Sequence, residues 1–396
     1  MSVPSAPAVW EDGSWHELPS LGTDLTVDAC VIGLGGSGLA CVHELLDMGV
    51  RVAGIDAGRV ASGAAGRNGG FLLAGCYDFY HDAVTRHGRA RALSIYQATL
   101  QQIDRIADET PAAVRRTGSI RLATSDDERE DCNAQLAAMI ADGLPVEPYS
   151  GAEGDGLLIP SDAAFDPLMR ARLLALHAIE RGAHLFENSP ALSIEDGAVI
   201  TAGGRVRCGA VIVAVDGALQ HVLPELAARV RTARLQMLAT APDPDVRIPR
   251  PVYARYGFEY WQQLTDGRVA VGGFRDLGGD AEWTAGTDVT EEIQAALERQ
   301  LREVIGSHAP ITRRWAASVG YTPDGLPILE QVRRGVWAAG GYSGTGNVLG
   351  ALCGRAAARL ALGDGASFAA ILHGHPEAAS APSGGRGRGV ARRTDG

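Results

Sequence analysis

Lysine is absent. All 36 residues counted as lysine or arginine are arginine, so no lysine imine can form, and pyridoxal-phosphate or other lysine–Schiff-base chemistry is excluded. Cysteine is scarce: six residues, scattered, without a C-x-x-C pair or metal-ligand spacing. That pattern predicts no metal site and reduced thiols in a cytoplasm. Apolar runs are short, well below the ~18 residues that span a bilayer. The opening residues, MSVPSAPAVWEDGSWHELP, lack the basic-then-apolar order of a secretion signal. Positive charge is outweighed, the formal net charge being −11, so there is no basic excess to neutralise nucleic-acid phosphates. The expectation is a cytoplasmic protein that binds neither nucleic acid nor membrane.

What is present is ordinary globular composition with much glycine. At 396 residues, 46% hydrophobic and 21% charged, the chain is long enough for two or more domain-sized units. The rest is organised around residues 29–56. A short apolar run (Val27, Ala29, Val31, Ile32) reads as a buried parallel strand and breaks into G-x-G-x-x-G at Gly33, Gly35 and Gly38. Leu39, Val42, Leu45 and Leu46 recur at helical spacing up to Gly49, and a second apolar run ends in Asp56. Gly33 permits the tight turn, Gly35 lets the backbone approach a pyrophosphate, and Gly38 lets helix pack on strand. Phosphates rest on the unpaired N–H groups and positive dipole end of such a helix. Asp56 stands where an acid accepts from the ribose hydroxyls of an adenosine. The order of these parts predicts a dinucleotide site.

Residues 1–25 read as an irregular arm lying on the core. A loop at 57–71 (AGRVASGAAGRNGGF) is too rich in glycine for a helix or strand interior and carries Arg67 and Asn68. Its backbone donors suit a cofactor's phosphates. Helices are expected at 89–108 and 126–142 with a strand at 119–124 between them. Asp166 as N-cap and Pro167 as first residue start another helix, with Gly182 just past its end. Strands follow at 183–186, 191–194, 198–201 and 211–215. From Thr232 to about Arg314, alternating strands (235–240, 252–256, 260–264, 269–274) separated by turns such as Thr265-Asp266-Gly267 read as an antiparallel sheet. A helix at 289–305 closes that stretch. A second glycine loop at 340–347 opens an alanine-rich helix, and the tail from about Gly374 is low-complexity and expected to be disordered.

Four motifs, in this order, carry a resemblance: V-I-G-L-G-G-S-G-L (31–39), G-A-A-G-R-N-G-G (63–70), D-G-L-P (324–327) and G-G-Y-S-G-T-G-N (340–347). Together they resemble the D-amino-acid-oxidase-like superfamily of FAD-dependent oxidoreductases, in its glycine/sarcosine-oxidase and gamma-glutamylputrescine-oxidase-like branch. The resemblance implies an α/β fold: a discontinuous Rossmann-like FAD-binding domain (1–75, 150–231 and 315–373) with an inserted antiparallel-sheet substrate domain (76–149 and 232–314). It implies that Gly33, Gly35, Ser37, Gly38, Asp56 and Ala57 hold the ADP half of FAD. Arg67, Asn68, Gly69 and Gly70 would line the pyrophosphate, ribityl and flavin edge, and Leu192 would meet the adenine through its backbone. Gly344, Thr345, Gly346 and Asn347 would close over the isoalloxazine O2, where helix-end N–H groups stabilise negative charge. Ala65 stands where many relatives have serine, and Asp56 where glutamate is usual. The 63–70 motif offers no histidine for flavin attachment, so FAD is expected to be non-covalent, Cys76 being the only nearby thiol. The lysine that activates oxygen in the sarcosine-oxidase branch is missing, with Ala270 near its place.

The implied activity is oxidation of the C–N bond of an amine or amino acid to an imine by hydride transfer to flavin N5. The cofactor carries the difficult step and the protein orients the substrate. Reoxidation by O2 would give H2O2. Tyr256, Arg275, Glu259 and Tyr342 are the candidate catalytic and pocket residues, with Tyr253, Arg255, Tyr260 and Trp261 beside them on the inserted sheet. Arg275 or Arg255 is suited to clamping a carboxylate, and Glu259 to holding a cationic amine. Open alternatives are a dehydrogenase or biosynthetic oxidoreductase with another electron acceptor, a nicotinamide-dependent enzyme using the 33–38 loop alone, and a non-catalytic flavoprotein. A nicotinamide enzyme has no need of the loops at 63–70 and 340–347. Oligomeric state is not legible.

Overall fold

The computed structural model describes residues 2–365 and 367–374, so the tail expected to be disordered lies, beyond Gly374, outside the described residues. Among the longer elements, β1 (Ala29–Ile32), α1 (Gly36–Asp47) and β2 (Val52–Ile55) follow one another as expected. Every residue of β1 and β2 is buried, because α-helices and other layers cover both faces of a parallel sheet and demand continuous apolar runs. Next come α2 (Arg89–Glu109), β3 (Ser119–Leu122), α3 (Asp126–Ala141) and a hairpin of β4 (Glu147–Gly151) and β5 (Gly154–Ile159).

The chain then forms α4 (Pro167–Glu180), β6 (His184–Phe186) and β7 (Ala210–Val213). Asp166 caps α4 by accepting from Met169 N–H at 2.9 Å, and Gly182 takes the left-handed conformation (φ +91°) just beyond it. The stretch from 231 holds β8 (Arg231–Pro242), β9 (Val252–Ala254), β10 (Glu259–Gln263), β11 (Arg268–Gly273), α5 (Glu291–Arg299) and β12 (Ile311–Tyr321). Last come β13 (Ile328–Arg333), β14 (Val336–Gly340) and α6 (Leu349–Ala361).

Two sheets organise these elements. The first has the order β6-β2-β1-β7-β14-β13 and is parallel except for β13 at its edge. Helices α1 and α6 lie together on it so closely that a side chain at Gly354 would strike the Ser37 carbonyl at 2.0 Å. The second has eight strands in the order β12-β8-β11-β10-β9-β3-β5-β4.

The second sheet is antiparallel apart from the pair β9 and β3, and its strands β4 and β12 run through positions 150 and 315. Two element boundaries are corrected. The strand expected at 252–256 stops at Ala254, because Arg255 (φ 49°) and Tyr256 (φ 53°) adopt left-handed backbone that no strand tolerates. The helix expected at 289–305 is regular only over α5 and then widens through 300–304. The N-terminal arm does lie on the core: Ala8, Val9 and Trp10 are buried.

Candidate active site

The site is built where the first sheet meets the second. At the end of β1, Gly33 has φ +103°, and a side chain there would meet the Ala214 carbonyl at 2.5 Å. A Cβ on Gly38 would sit 1.8 Å from the Gly33 carbonyl, so both positions accept only glycine. Gly35 is different. Its Cβ would meet only Ala65, at 3.2 Å, and one on Gly36 or Gly63 would meet nothing within 4 Å. The open side of this turn is therefore a cradle at the start of α1, whose first turn carries no acid to compete with a phosphate.

Asp56 lies at the end of β2. Its Oδ2 accepts from Leu34 N–H at 2.7 Å and its Oδ1 from Gly58 N–H at 2.9 Å. A carboxylate has about four acceptor directions, so room remains for a hydroxyl donor. Burial pushes its carboxyl above the usual range, against the two N–H bonds that pull it down. Ala57 beside it is exposed. Ser37 Oγ accepts from the Tyr342 hydroxyl at 2.6 Å, which leaves its own O–H to donate.

The two other glycine loops are joined by a pair of amides. Asn68 donates to the Ala64 and Ala65 carbonyls at 3.1 and 2.9 Å and accepts from Gly70 N–H at 2.9 Å. Asn347 donates to Asn68 Oδ1 at 3.1 Å and to the Phe71 carbonyl at 2.8 Å. Gly344 (φ +92°) and Thr345, whose hydroxyl donates to the Tyr342 carbonyl at 2.7 Å, lead into α6. The Leu349 and Gly350 N–H groups that open α6 already donate to the Thr345 and Gly346 carbonyls at 3.2 and 3.0 Å, so among the described residues the donors of this turn are the N–H groups just before them, at 346–348.

Arg67 departs from the expectation. Its guanidinium turns to the Ala316 carbonyl at 2.8 Å and the Ala6 carbonyl at 3.3 Å, which fastens the loop to β12 and the N-terminal arm. Two indoles clamp the same loop from outside, Trp315 onto the Arg67 carbonyl at 2.8 Å and Trp10 onto the Asn68 carbonyl at 2.9 Å. Leu192 offers no free N–H, since it donates to the Ile200 carbonyl at 2.8 Å, and its side chain is 64% exposed.

Facing this loop is one row of the second sheet. The register places Arg121, Tyr253, Tyr260, Gly272, Met237 and Trp315 side by side across β3, β9, β10, β11, β8 and β12. Directly paired residues share a face. Tyr260 covers Gly69, where a Cβ would meet the ring at 3.2 Å. Gln262, two residues on and on the same face, donates to the Gly70 carbonyl at 3.0 Å. Beside the row, Tyr321 brings its hydroxyl within 3.8 Å of where a Gly344 side chain would start.

Of the four candidate catalytic residues, one stands here. The Arg275 guanidinium lies over the rings of Trp283, Tyr321 and Phe258 at 4.8, 4.9 and 5.5 Å. Among the described residues no carboxylate pairs with it. The other three have partners of their own. Tyr256 is 41% exposed and its hydroxyl donates to Asp131 at 2.8 Å on α3. Glu259 is already paired with Arg255 at 2.6 Å, and Arg255 in turn with Asp276 at 2.8 Å, so neither is available as a clamp. Tyr342 is 4% exposed, locked against α1 through Ser37. Tyr321, Trp283 and Gln262 were missed; the 311–321 strand was not picked out, and isolated aromatics carry no local signal of a shared pocket.

A family model described as "DAO: FAD dependent oxidoreductase" matches residues 28–360. The chain belongs to this family. It is an FAD-dependent oxidoreductase, and the cradle of open glycine positions fits the cofactor's phosphates. It is 28% identical to "Probable oxidoreductase OrdL" of Rhizobium meliloti, covering 88% of this chain and 88% of that relative. It is 27% identical to "Gamma-glutamylputrescine oxidoreductase" of Escherichia coli, covering 89% and 88%. The fold is similar to glycine oxidase from Geobacillus kaustophilus, with TM-score 0.70 and 22% identity over 86% of this chain and 95% of that one. It is similar also to FAD-bound L-alpha-glycerophosphate oxidase from Mycoplasma pneumoniae, with TM-score 0.68 and 17% identity over 85% and 95%. In this FAD-dependent oxidoreductase, no helix of the described residues is long and apolar enough to cross a membrane, and no cluster of them could hold a metal ion.

Proposed function

We propose that this chain is a cytoplasmic enzyme that oxidises the C–N bond of an amine carrying a carboxylate, giving an imine that water hydrolyses. One observation carries the reading. Arg275 is a cation that no carboxylate of the described residues pairs with, held on aromatic faces next to the Gly344 turn. A guanidinium in that state is a ready receptor for an anionic substrate group, and its planar fork matches a carboxylate. The relatives bearing amine-related names support the same substrate class.

The division of labour is proposed along the two sheets, FAD on the first and substrate on the second. The open Gly35–Gly36 cradle, Asp56 and the start of α1 hold the ADP half. The loops that Asn68 and Asn347 pin together, with the N–H groups of 346–348, hold the flavin end. FAD supplies the two-electron acceptor when bound. The residues of the chain do the rest. Arg275 fixes the carboxylate, and Tyr260 and Tyr321 form the wall that orients the amine-bearing carbon and excludes water. Both hydroxyls stay neutral near pH 7, burial pushing Tyr321 up to about 12 and Tyr260 higher still, so they donate hydrogen bonds and do not act as bases. No lysine is present to assist oxygen, and Ala270 is fully buried among sheet residues. O2 as acceptor, giving H2O2, is the reading we adopt. FAD is held without a covalent bond: Cys76 has its thiol pushed up to about 11 by burial, which makes it a poor nucleophile.

The test is reduction of the bound flavin by a panel of amines and amino acids under anaerobic conditions, followed by admission of air. Bleaching by a carboxylate-bearing amine and peroxide on aeration are expected. Bleaching without reoxidation in air would move the reading to a dehydrogenase with another acceptor.

A further inference from the structure

A second arginine, at the β3 end of the row, repeats the pattern of Arg275. The Arg121 guanidinium lies over the Phe79 and Tyr253 rings at 4.3 and 5.2 Å. Its Nη1 donates to Gln135 Oε1 at 2.9 Å, and among the described residues no carboxylate pairs with it. It borders a cavity of about 30 Å³ whose wall also includes Tyr253, Tyr96, Gln135, Cys76 and Asp162. That volume holds about two waters, which is close to the size of one carboxylate group.

The acids on the wall have other partners. Asp162 accepts from Ser119 Oγ at 2.6 Å and Ala74 N–H at 2.9 Å, and Asp78 pairs with Arg86 at 3.0 Å. The Tyr96 hydroxyl has no hydrogen-bond partner among the described residues, and burial keeps it protonated and able to donate. A cation and a hydroxyl donor thus face a small cavity; the buried Asp162 on its wall acts on Arg121 through its charge but makes no ion pair with it.

The position relative to the flavin loop follows from the register. Arg121 is paired with Tyr253, and Tyr253 with Tyr260, the residue that covers Gly69. Two strand spacings of about 4.8 Å therefore separate the Arg121 backbone from that of Tyr260. Electrostatically, Arg121 acts on Tyr253 and Arg275 on Tyr260 and Tyr321. The tyrosines form a continuous lining with one unpaired arginine at each end.

We propose that the Arg121 cavity is a second anion subsite, and that the substrate is an amine with two acidic groups, one held by Arg275 and the other by Arg121 and Tyr96. This rests on the function proposed above for the same site. An amine with a single carboxylate would leave the Arg121 guanidinium with only the neutral Gln135 oxygen as acceptor among the described residues, whereas a second acidic group would give it a charged partner.

The test uses the FAD-loaded enzyme. N-methylglycine, iminodiacetate and N-(ω-carboxyalkyl)glycines of increasing chain length are compared by kcat/KM for anaerobic flavin reduction. Separately, calorimetry follows binding of the non-oxidisable diacids from malonate to pimelate against butyrate. At least one diacid amine is expected to exceed N-methylglycine by about 30-fold or more, and one simple diacid to bind more tightly than butyrate. Arg121→Gln should bring both ratios to within about threefold of unity, and Arg121→Lys should restore part of them. Ratios near unity in the wild-type protein, or ratios that Arg121→Gln leaves intact, overturn the proposal. If Arg121→Gln fails to fold, Gln135→Leu, which removes only the acceptor that orients Arg121, must shrink the same ratios. If no amine reduces the flavin while diacid binding still depends on Arg121, the amine reading falls and the subsite stands. If amines reduce the flavin and neither ratio responds to Arg121, the subsite falls alone.

Discussion

Replacing Arg275 with glutamine removes the charge held over the Phe258, Trp283 and Tyr321 rings and shortens the side chain. Losing one partner of a desolvated ion pair costs about 2–5 kcal/mol, so KM for a carboxylate-bearing amine should rise by about 30-fold or more while kcat changes less. An unchanged KM would remove Arg275 from substrate binding. Tyr256→Phe is the contrast: its hydroxyl bonds to Asp131 on the outer side, and kcat/KM should stay within about twofold. Tyr342→Phe loses the hydrogen bond to Ser37, worth about 1 kcal/mol, which a melting curve reads as a fall of about 2 °C. At this scale the sequence misled for a definite reason. Tyr256, Glu259 and Tyr342 look like free polar groups in an alternating strand or a glycine loop, yet Asp131 and Ser37 are brought to two of them by distant turns of the chain, and Arg255 meets Glu259 four positions on, across the left-handed backbone at 255–256. Ser37 lies 305 positions from Tyr342.

Elements were far more legible, because their signals are local. The strand, turn and helix of 29–56 form where expected, since Gly38 is demanded by the Gly33 carbonyl five positions away and Gly33 by its own left-handed turn, φ +103°. What was not legible is how strands from distant segments join. The hairpin at 147–159 carries no strong alternation, and only its pairing with β3 makes it part of the eight-stranded sheet. The same local logic yields a prediction about two glycines. Gly35→Val faces open space apart from Ala65, so the protein should fold and lose FAD through blockage of the cradle. Gly38→Ala drives a Cβ into the Gly33 carbonyl and should instead prevent folding or cost at least the ~1–3 kcal/mol of an overpacked core. Flavin content and circular dichroism of the two variants separate these outcomes. A folded Gly35→Val protein with full flavin would refute the cradle.

For the whole molecule, two buried acids link stability to pH. Burial pushes Asp162 up to about 7 and Asp216 up to about 6, from an ordinary value of 3.8. A carboxyl whose folded pKa is raised contributes most while protonated in both states, and that contribution is lost as pH rises from about 4 to about 7. Asp162→Asn should therefore gain stability relative to wild type across this window and hold the gain above it. Parallel Tm–pH curves for the two proteins would contradict the burial argument. Asp216 accepts from Tyr342 and Gly320 N–H groups at 3.0 and 3.2 Å, so it ties the end of β7 to both sheets at the active-site seam. The junction of the two sheets is also where the central claim is decided, and a single titration reads it directly. The purified protein should show bands near ~450 nm that pass into the supernatant on acid precipitation, and stepwise anaerobic addition of a carboxylate-bearing amine should bleach them. A flavin that every amine leaves oxidised would contradict the proposed reaction.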